Sequence, residues 1–365
     1  MKSKFLTRNL LLLSMLFVSI TAWGDTTYKL TQVTSVTAGN KYVFVENGNA
    51  LTTVSGKVLQ STKSFNMSGL IGNESYIWTL EATTGGFYIK MSTGKYLNHP
   101  ADKTDMASGD SGSTKWTFVF TADEAMIYDA SENRMIANSS GTEYRAYKAD
   151  ADGLYYYPHH NFAVYAVVET VTVTTAKYAT YCSTNALDFS GTGAKVYKAK
   201  VTGSSVKLTE ITGGIVPANT GVMVYKDVAA TENLSVPVTL TDATVTDNEL
   251  VGITEETTVP WTADGKYNYI LQKQGGDETP KFYKATGKKL VANRAYLSTT
   301  YNVASGRGLD IVFEGEEEED DVTGVASVAR PQATNNHCYD LQGRQVMQPT
   351  QKGLYIVNGK KYVVK

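Results

Sequence analysis

Apolar and polar residues alternate along most of the chain with the two-residue period of half-buried strands. Three segments share one design: "YVFVENGNALTT" from Tyr42, "FYIKMSTGKYLNH" from Phe87 and "AMIYDASENRMIAN" from Ala125. Each is an alternating strand, a turn of small polar residues and a second strand. Trp78-Thr79 precedes one of them and Trp116-Thr117 another, 38 residues later. Hairpins recurring at about 40-residue spacing predict a closed β-barrel or a β-trefoil-like domain over residues 25–168. One stretch, "TADEAMIYDASENRM" (121–135), carries helix-favouring Ala, Glu and Met. The repeat, which overlaps it, argues for strand there instead.

From Glu169 the pattern changes. "VKLTEI", "TGVMVYK", "NYILQK", "KFYKA" and "RAYLST" read as short strands separated by polar turns. They predict a second, sandwich-like β domain over residues 169–313. The fold class expected is therefore all-β, with a small β-hairpin module at the C-terminal end. The 24 tyrosines and the many Val and Thr residues fit that class.

Charge divides the chain further. Lys2, Lys4 and Arg8 precede an apolar run over residues 10–22, and small residues follow at Ala22 and Gly24. That order reads as a secretory signal peptide over residues 1–24. The run falls short of the ~20 apolar residues a membrane span needs, and no later segment reaches that length. The formal charge is −2, or −5 without the three cations of the signal segment. Seven acids lie in "EGEEEEDD" (314–321), a self-repelling stretch that reads as an extended linker. With those set aside the body is near neutral and offers no basic field for nucleic acid. Residues 322–365 carry six Lys or Arg against the single acid Asp340, and form a separate basic module.

That module has strong hairpin chemistry. In "LYIVNGKKYVV", Asn358-Gly359 sits between two β-rich runs, the strongest short-range signal for a tight hairpin. Leu354, Tyr355, Ile356, Lys360 and Tyr362 flank the turn, and Lys365 closes the chain. A hairpin this small is marginal alone, so its apolar residues need a partner, either the preceding "YDLQGRQV" or a receptor groove.

"YDLQGRQV" with "KGLYIVNGKKYVVK" resembles the C-terminal signal of type IX secretion substrates, although full sorting domains are usually longer. "IANSSGTEYRAYK" to "NFAVYAVVE" resembles the end of an accessory β-domain of exported Bacteroidetes proteins. "AKYATYCSTNALDFSG", "IVPANTGVMVY", "NYILQK" and "KFYKATGKKLVANRAYL" resemble a second β module of the same group. The resemblance implies export to the medium or the outer cell surface, with secretion or anchoring machinery as partner. It attaches no activity to either module.

The residues point to no catalytic centre. No G-x-S-x-G, H-E-x-x-H, C-x-x-C or phosphate-binding glycine loop occurs. His337 and Cys338 are adjacent, so a strand turns them to opposite faces. Cys182 has no histidine near it in sequence and reads as strand core. Asp102, Asp105 and Asp110 lie in a polar loop without EF-hand spacing, so no metal and no cofactor is expected. One cluster reads as a binding surface. "GLYYYPHHNF" puts Tyr155 and Tyr157 on one face beside His159, an aromatic platform for sugar rings, with ordinary barrel core as the alternative. Trp78 and Trp116, repeated in register, read as core. These features favour a secreted, non-catalytic protein that binds carbohydrate or a host-surface ligand. A structural surface component and an extracellular hydrolase with an unrecognised site are the alternatives.

Overall fold

The computed structural model describes residues 29–67, 74–129, 131–148, 161–302 and 308–315, and strands at 338–340, 345–346, 353–357 and 360–364. The expected signal segment, Tyr155, Tyr157, His159, Asn358, Gly359, Lys365 and most of the acidic run lie outside the described residues. The fold is all-β; one 3₁₀ turn, Glu74–Tyr76, is the only helical element among the described residues. Two compact units are divided between Glu316 and Glu317.

The first unit opens with β1 (Lys29–Val33), followed by three repeats. The first repeat holds β2 (Lys41–Glu46), β3 (Asn49–Ser55), β4 (Val58–Ser61) and β5 (Trp78–Thr83). The second holds β6 (Gly86–Met91), β7 (Tyr96–Asn98), β8 (Ala107–Gly109) and β9 (Trp116–Thr121). The third holds β10 (Glu124–Asp129), β11 (Arg134–Ser140), β12 (Glu143–Lys148) and β13 (Asn161–Val173). Antiparallel pairs β2–β5, β5–β6, β6–β9, β9–β10, β10–β13 and β13–β2 close a six-stranded ring. The hairpins β3–β4, β7–β8 and β11–β12 complete the three repeats. This is a β-trefoil arrangement.

The repeat seen in sequence is the repeat of the barrel. Tyr42 pairs with Trp78, Phe87 with Trp116 and Ala125 with Phe162, one equivalent pair per repeat. Trp78 and Trp116 are fully buried in the barrel core. Trp78 Nε1 donates to the Leu51 carbonyl at 3.2 Å, and Trp116 Nε1 to the Leu97 carbonyl at 2.9 Å. Each ring thereby satisfies its one polar atom inside the core. The helix-favouring stretch around residue 125 is strand, because β10 finds partners in β9, β11 and β13 and tertiary pairing overrides weak propensity. Between β2 and β3, Asn47 (φ 46°) and Gly48 (φ 76°) both take left-handed backbone, the two-residue turn that matches strand twist.

β13 is the longest strand and belongs to both halves of the unit. Along one edge it pairs with β10 and then β1; along the other with β2 and then, from Val168 to Val173, with β20 (Glu232–Thr239). The junction expected between residues 168 and 169 therefore lies inside a continuous strand, and the described residues on both sides of it belong to one compact unit. After it come β14 (Tyr178–Tyr181), β15 (Ala186–Asp188), β16 (Lys195–Thr202), β17 (Ser205–Glu210), β18 (Ile215–Val216) and β19 (Val222–Tyr225). The remaining strands of the unit are β21 (Leu250–Ile253), β22 (Thr257–Val259), β23 (Thr262–Ala263) and β24 (Lys266–Gln272). They are followed by β25 (Lys281–Lys284), β26 (Lys288–Leu290), β27 (Arg294–Thr299) and β28 (Asp310–Phe313).

A five-stranded sheet, β14-β19-β16-β17-β28, forms the middle of this region. One of its faces sends Val196, Val222 and Val224 into a core shared with β13, β15 and β20. The other sends Tyr197, Ala199, Leu208 and Met223 against Leu250, Tyr269, Phe282 and Leu297 of the β21-β27-β24 sheet. That second core makes the expected sandwich. Burial on both faces explains why "VMVY" of β19 is a continuous apolar run. Glu169, in the second half of β13, fixes this sheet to the barrel strand. Its carboxylate accepts from Ser183 Oγ (2.6 Å), Asn185 Nδ2 (2.8 Å) and Tyr181 Oη (2.8 Å). Burial and then that carboxylate push the Tyr181 hydroxyl's pKa far up.

The second unit contains β29 (Cys338–Asp340), β30 (Gln345–Val346), β31 (Gly353–Val357) and β32 (Lys360–Val364) in the order β30-β29-β31-β32. β31 and β32 pair from Val357↔Lys360 to Gly353↔Val364. Leu354, Tyr355 and Ile356 lie on the first of these strands, Lys360 and Tyr362 on the second.

Candidate binding groove

The aromatic residues that reach the surface together are set by the register of the middle sheet. Tyr178 of β14 pairs with Tyr225 of β19, and Tyr225 pairs with Lys195 of β16. Two residues along β16, Tyr197 shares the face of Lys195 and pairs with Glu210 of β17. Phe313 of β28 pairs with Leu208 in the parallel β17–β28 contact. Strands far apart in sequence thus deliver four rings to one end of one sheet face.

Phe313 is the centre of this cluster. Its ring lies 5.2 Å from Tyr197, 5.5 Å from Tyr225 and 6.3 Å from Tyr178; Tyr178 and Tyr225 are 5.0 Å apart. These separations and tilts suit edge-to-face and offset contacts between rings. Tyr197 is buried, while Tyr178, Tyr225 and Phe313 are half-buried. The cluster is the surface end of the sandwich core, and a shallow groove of about 570 Å³ opens over it. Lys195, Glu210 and Thr212 supply its polar wall. Lys195 Nζ meets Glu210 at 2.9 Å, and that carboxylate holds the ammonium's pKa above its ordinary value. Tilted aromatic rings with hydroxyl, ammonium and carboxylate groups at their margin offer a ligand both apolar and hydrogen-bonding contacts.

A second depression of about 340 Å³ adjoins the first. Lys198, Lys200, Lys207, Thr202 and Asp247 line it, and Thr209 and Glu314 line both. Alternate residues of β16 divide between the two, Tyr197 facing the rings and Lys198 and Lys200 the lysine side. They meet where β28 ends, at the edge of β17.

The residues singled out in sequence fall elsewhere. Cys182, which follows β14, is a free, buried thiol; burial and then Glu169 raise its pKa. Asp105 is held between Lys57 (3.1 Å) and Arg145 (3.0 Å), and Asp110 pairs with Lys95 at 2.9 Å. Among the described residues no group of three or more His, Cys, Asp and Glu is arranged to hold a metal ion. His99 is buried, with Nδ1 3.0 Å from Asp129 and Nε2 2.6 Å from the Lys103 carbonyl, which ties the loop after β7 to the barrel. Sequence reading passed over Tyr178, Tyr225 and Phe313. Their one visible signal is position, since each begins or ends a strand.

No protein-family model and no curated protein matches the chain. No helix among the described residues is long and apolar enough to cross a membrane.

Proposed function

We propose that this is a secreted or cell-surface binding protein that takes a carbohydrate ligand in the groove over Tyr197, Tyr225 and Phe313. The observation that carries this reading is the half-buried aromatic cluster, opened to solvent and rimmed by hydrogen-bonding groups. The C–H face of a pyranose packs on an aromatic face, and its hydroxyls need donors and acceptors at the rim. Lys195, Glu210 and Thr212 offer both. The groove is used for binding without chemistry in this reading. The trefoil fold adds nothing to it, since fold does not assign function.

Export belongs to the same proposal. The segment over residues 1–24 directs the chain out, and the module over residues 322–365 is read by secretion or anchoring machinery. Support comes from the independent C-terminal unit and its hairpin of β31 and β32. A glycan array probed with the mature protein tests the first half. Tyr225→Ala should abolish the signal while circular dichroism stays unchanged; a signal that survives it, or an array without any, removes the carbohydrate reading. Cell fractionation of a chain lacking residues 322–365 tests the second half. The truncated protein should stay periplasmic or be released, and unchanged surface display would refute the sorting role.

A further inference from the structure

The lysine-lined depression carries more than a solvated sheet face needs. Lys200 and Lys207 are direct cross-strand partners, and like charges directly opposite destabilise an antiparallel pair. Lys198 joins them from the same strand as Lys200, two residues away, on the same face. Their neutralisation is incomplete. Lys207 lies 3.2 Å from Glu314, Lys200 a loose 3.8 Å from Asp247, and Lys198 Nζ donates to the neutral Thr246 carbonyl at 3.0 Å. Three ammonium groups therefore face two carboxylates. All four groups of these ion pairs are well exposed, so the pairs are weak and an incoming anion can replace them.

The depression also shares two lining residues, Thr209 and Glu314, with the aromatic groove. A ligand seated on the rings and passing the edge of β17 arrives at the lysines. The whole chain is net negative, so a general attraction for anions is not expected and any anion preference is local to this face.

We infer that the ligand of the aromatic groove is an acidic oligosaccharide, with sugar rings on Tyr225 and Phe313 and anionic substituents on Lys198, Lys200 and Lys207. This rests on the carbohydrate reading above and narrows it to a class. The anion is a carboxylate, as in a uronic acid, or a sulfate ester; both are oxygen acceptors for ammonium donors.

Isothermal titration of the full mature chain with four tetrasaccharides tests this. The probes are a galacturonate tetramer, its methyl ester, a sulfated galactan tetramer and the unsulfated galactan. Binding should favour one or both charged probes and fall as salt rises. The double variant Lys200→Gln/Lys207→Gln should lose roughly tenfold or more in affinity for the charged probe, about the worth of one or two hydrogen bonds to a charged group. Its affinity for a neutral tetramer should stay the same, which also shows that the variant is folded. The stronger charged probe identifies carboxylate or sulfate. Equal affinity for charged and neutral probes, unaffected by the two substitutions, would overturn the acidic class and leave the carbohydrate reading standing. Failure of all four to bind would overturn both.

Discussion

The closed barrel and the layered region are built from the same two-residue alternation, yet they place their aromatic rings differently. In the barrel the ring of strands has only one inside, so Trp78, Trp116, Phe44 and Phe162 converge there and are fully buried. The middle sheet of the layered region has no inside of its own. It is covered on both faces, and where the covering sheet stops, Tyr178, Tyr225 and Phe313 are left half-buried. The barrel also leaves Phe87, Phe118 and Phe120 half-buried at its margin, but in the layered region the half-buried Tyr225 and Phe313 line a groove.

The sharpest way to break that comparison is to truncate one ring from each region. Trp116→Ala removes a fully buried indole and its hydrogen bond to the Leu97 carbonyl, and should destabilise by ~3–5 kcal/mol. Tyr225→Ala removes a half-buried ring that already meets solvent, and should cost about 1–2 kcal/mol. Urea unfolding of both variants measures the gap. Equal losses would mean that the surface cluster is as much core as the barrel centre, and the groove would lose its claim to be a binding surface.

How far each region could be read from sequence follows from the same contrast. The barrel's repeats recur locally, so the segments starting at Tyr42, Phe87 and Ala125 could be aligned by eye, and they occupy equivalent barrel positions. The groove could not be read. Its rings come from residues 197, 225 and 313, brought together by long-range register and by one parallel pairing that leaves no local trace. The sequence attention given to "GLYYYPHHNF" reflects aromatic density, which is local and therefore visible. The sharing of β13 was hidden for the opposite reason. "NFAVYAVVETVTV" keeps its alternation throughout, so nothing marks the point where its partner changes from β2 to β20.

Close packing between the layers offers a second test, of intermediate size. Gly252 of β21 lies against Cys182, and a Cβ placed on it would stand 2.3 Å from the Cys182 sulfur and 3.0 Å from the Gly221 nitrogen. Only a residue without a side chain lets these backbones approach. Gly252→Ala should therefore destabilise by ~1–3 kcal/mol through overpacking. Removing the sulfur with Cys182→Ala in the same chain should recover part of the loss, and a thermodynamic cycle over the four proteins gives the coupling. Strict additivity would show that the clash lies with the Gly221 backbone or with the Cys182 Cβ, 2.8 Å away and kept by alanine, rather than with the sulfur.

The smallest effect belongs to the barrel's outer surface, where packing no longer decides. Glu81 of β5 accepts from Tyr96 Oη at 2.7 Å and from Lys90 Nζ at 2.9 Å. Burial opposes its ionisation, but the hydrogen bonds from Tyr96 and Lys90 together outweigh it and lower the carboxyl's pKa. A carboxyl whose folded-state pKa is depressed stabilises the protein above its unfolded value, and the contribution is lost as pH falls through the folded-state value. The groups are partly exposed, so solvent screening keeps the contribution to a fraction of a kcal/mol, about the range of surface ion pairs. Glu81→Gln should therefore lower the unfolding midpoint slightly at neutral pH. The difference from the parent should vanish once the medium is acid enough to protonate Glu81 in the folded protein. Added salt should shrink it as well. A difference that persists unchanged through acid would assign the effect to the shape of the side chain, and the barrel surface would then behave like its interior.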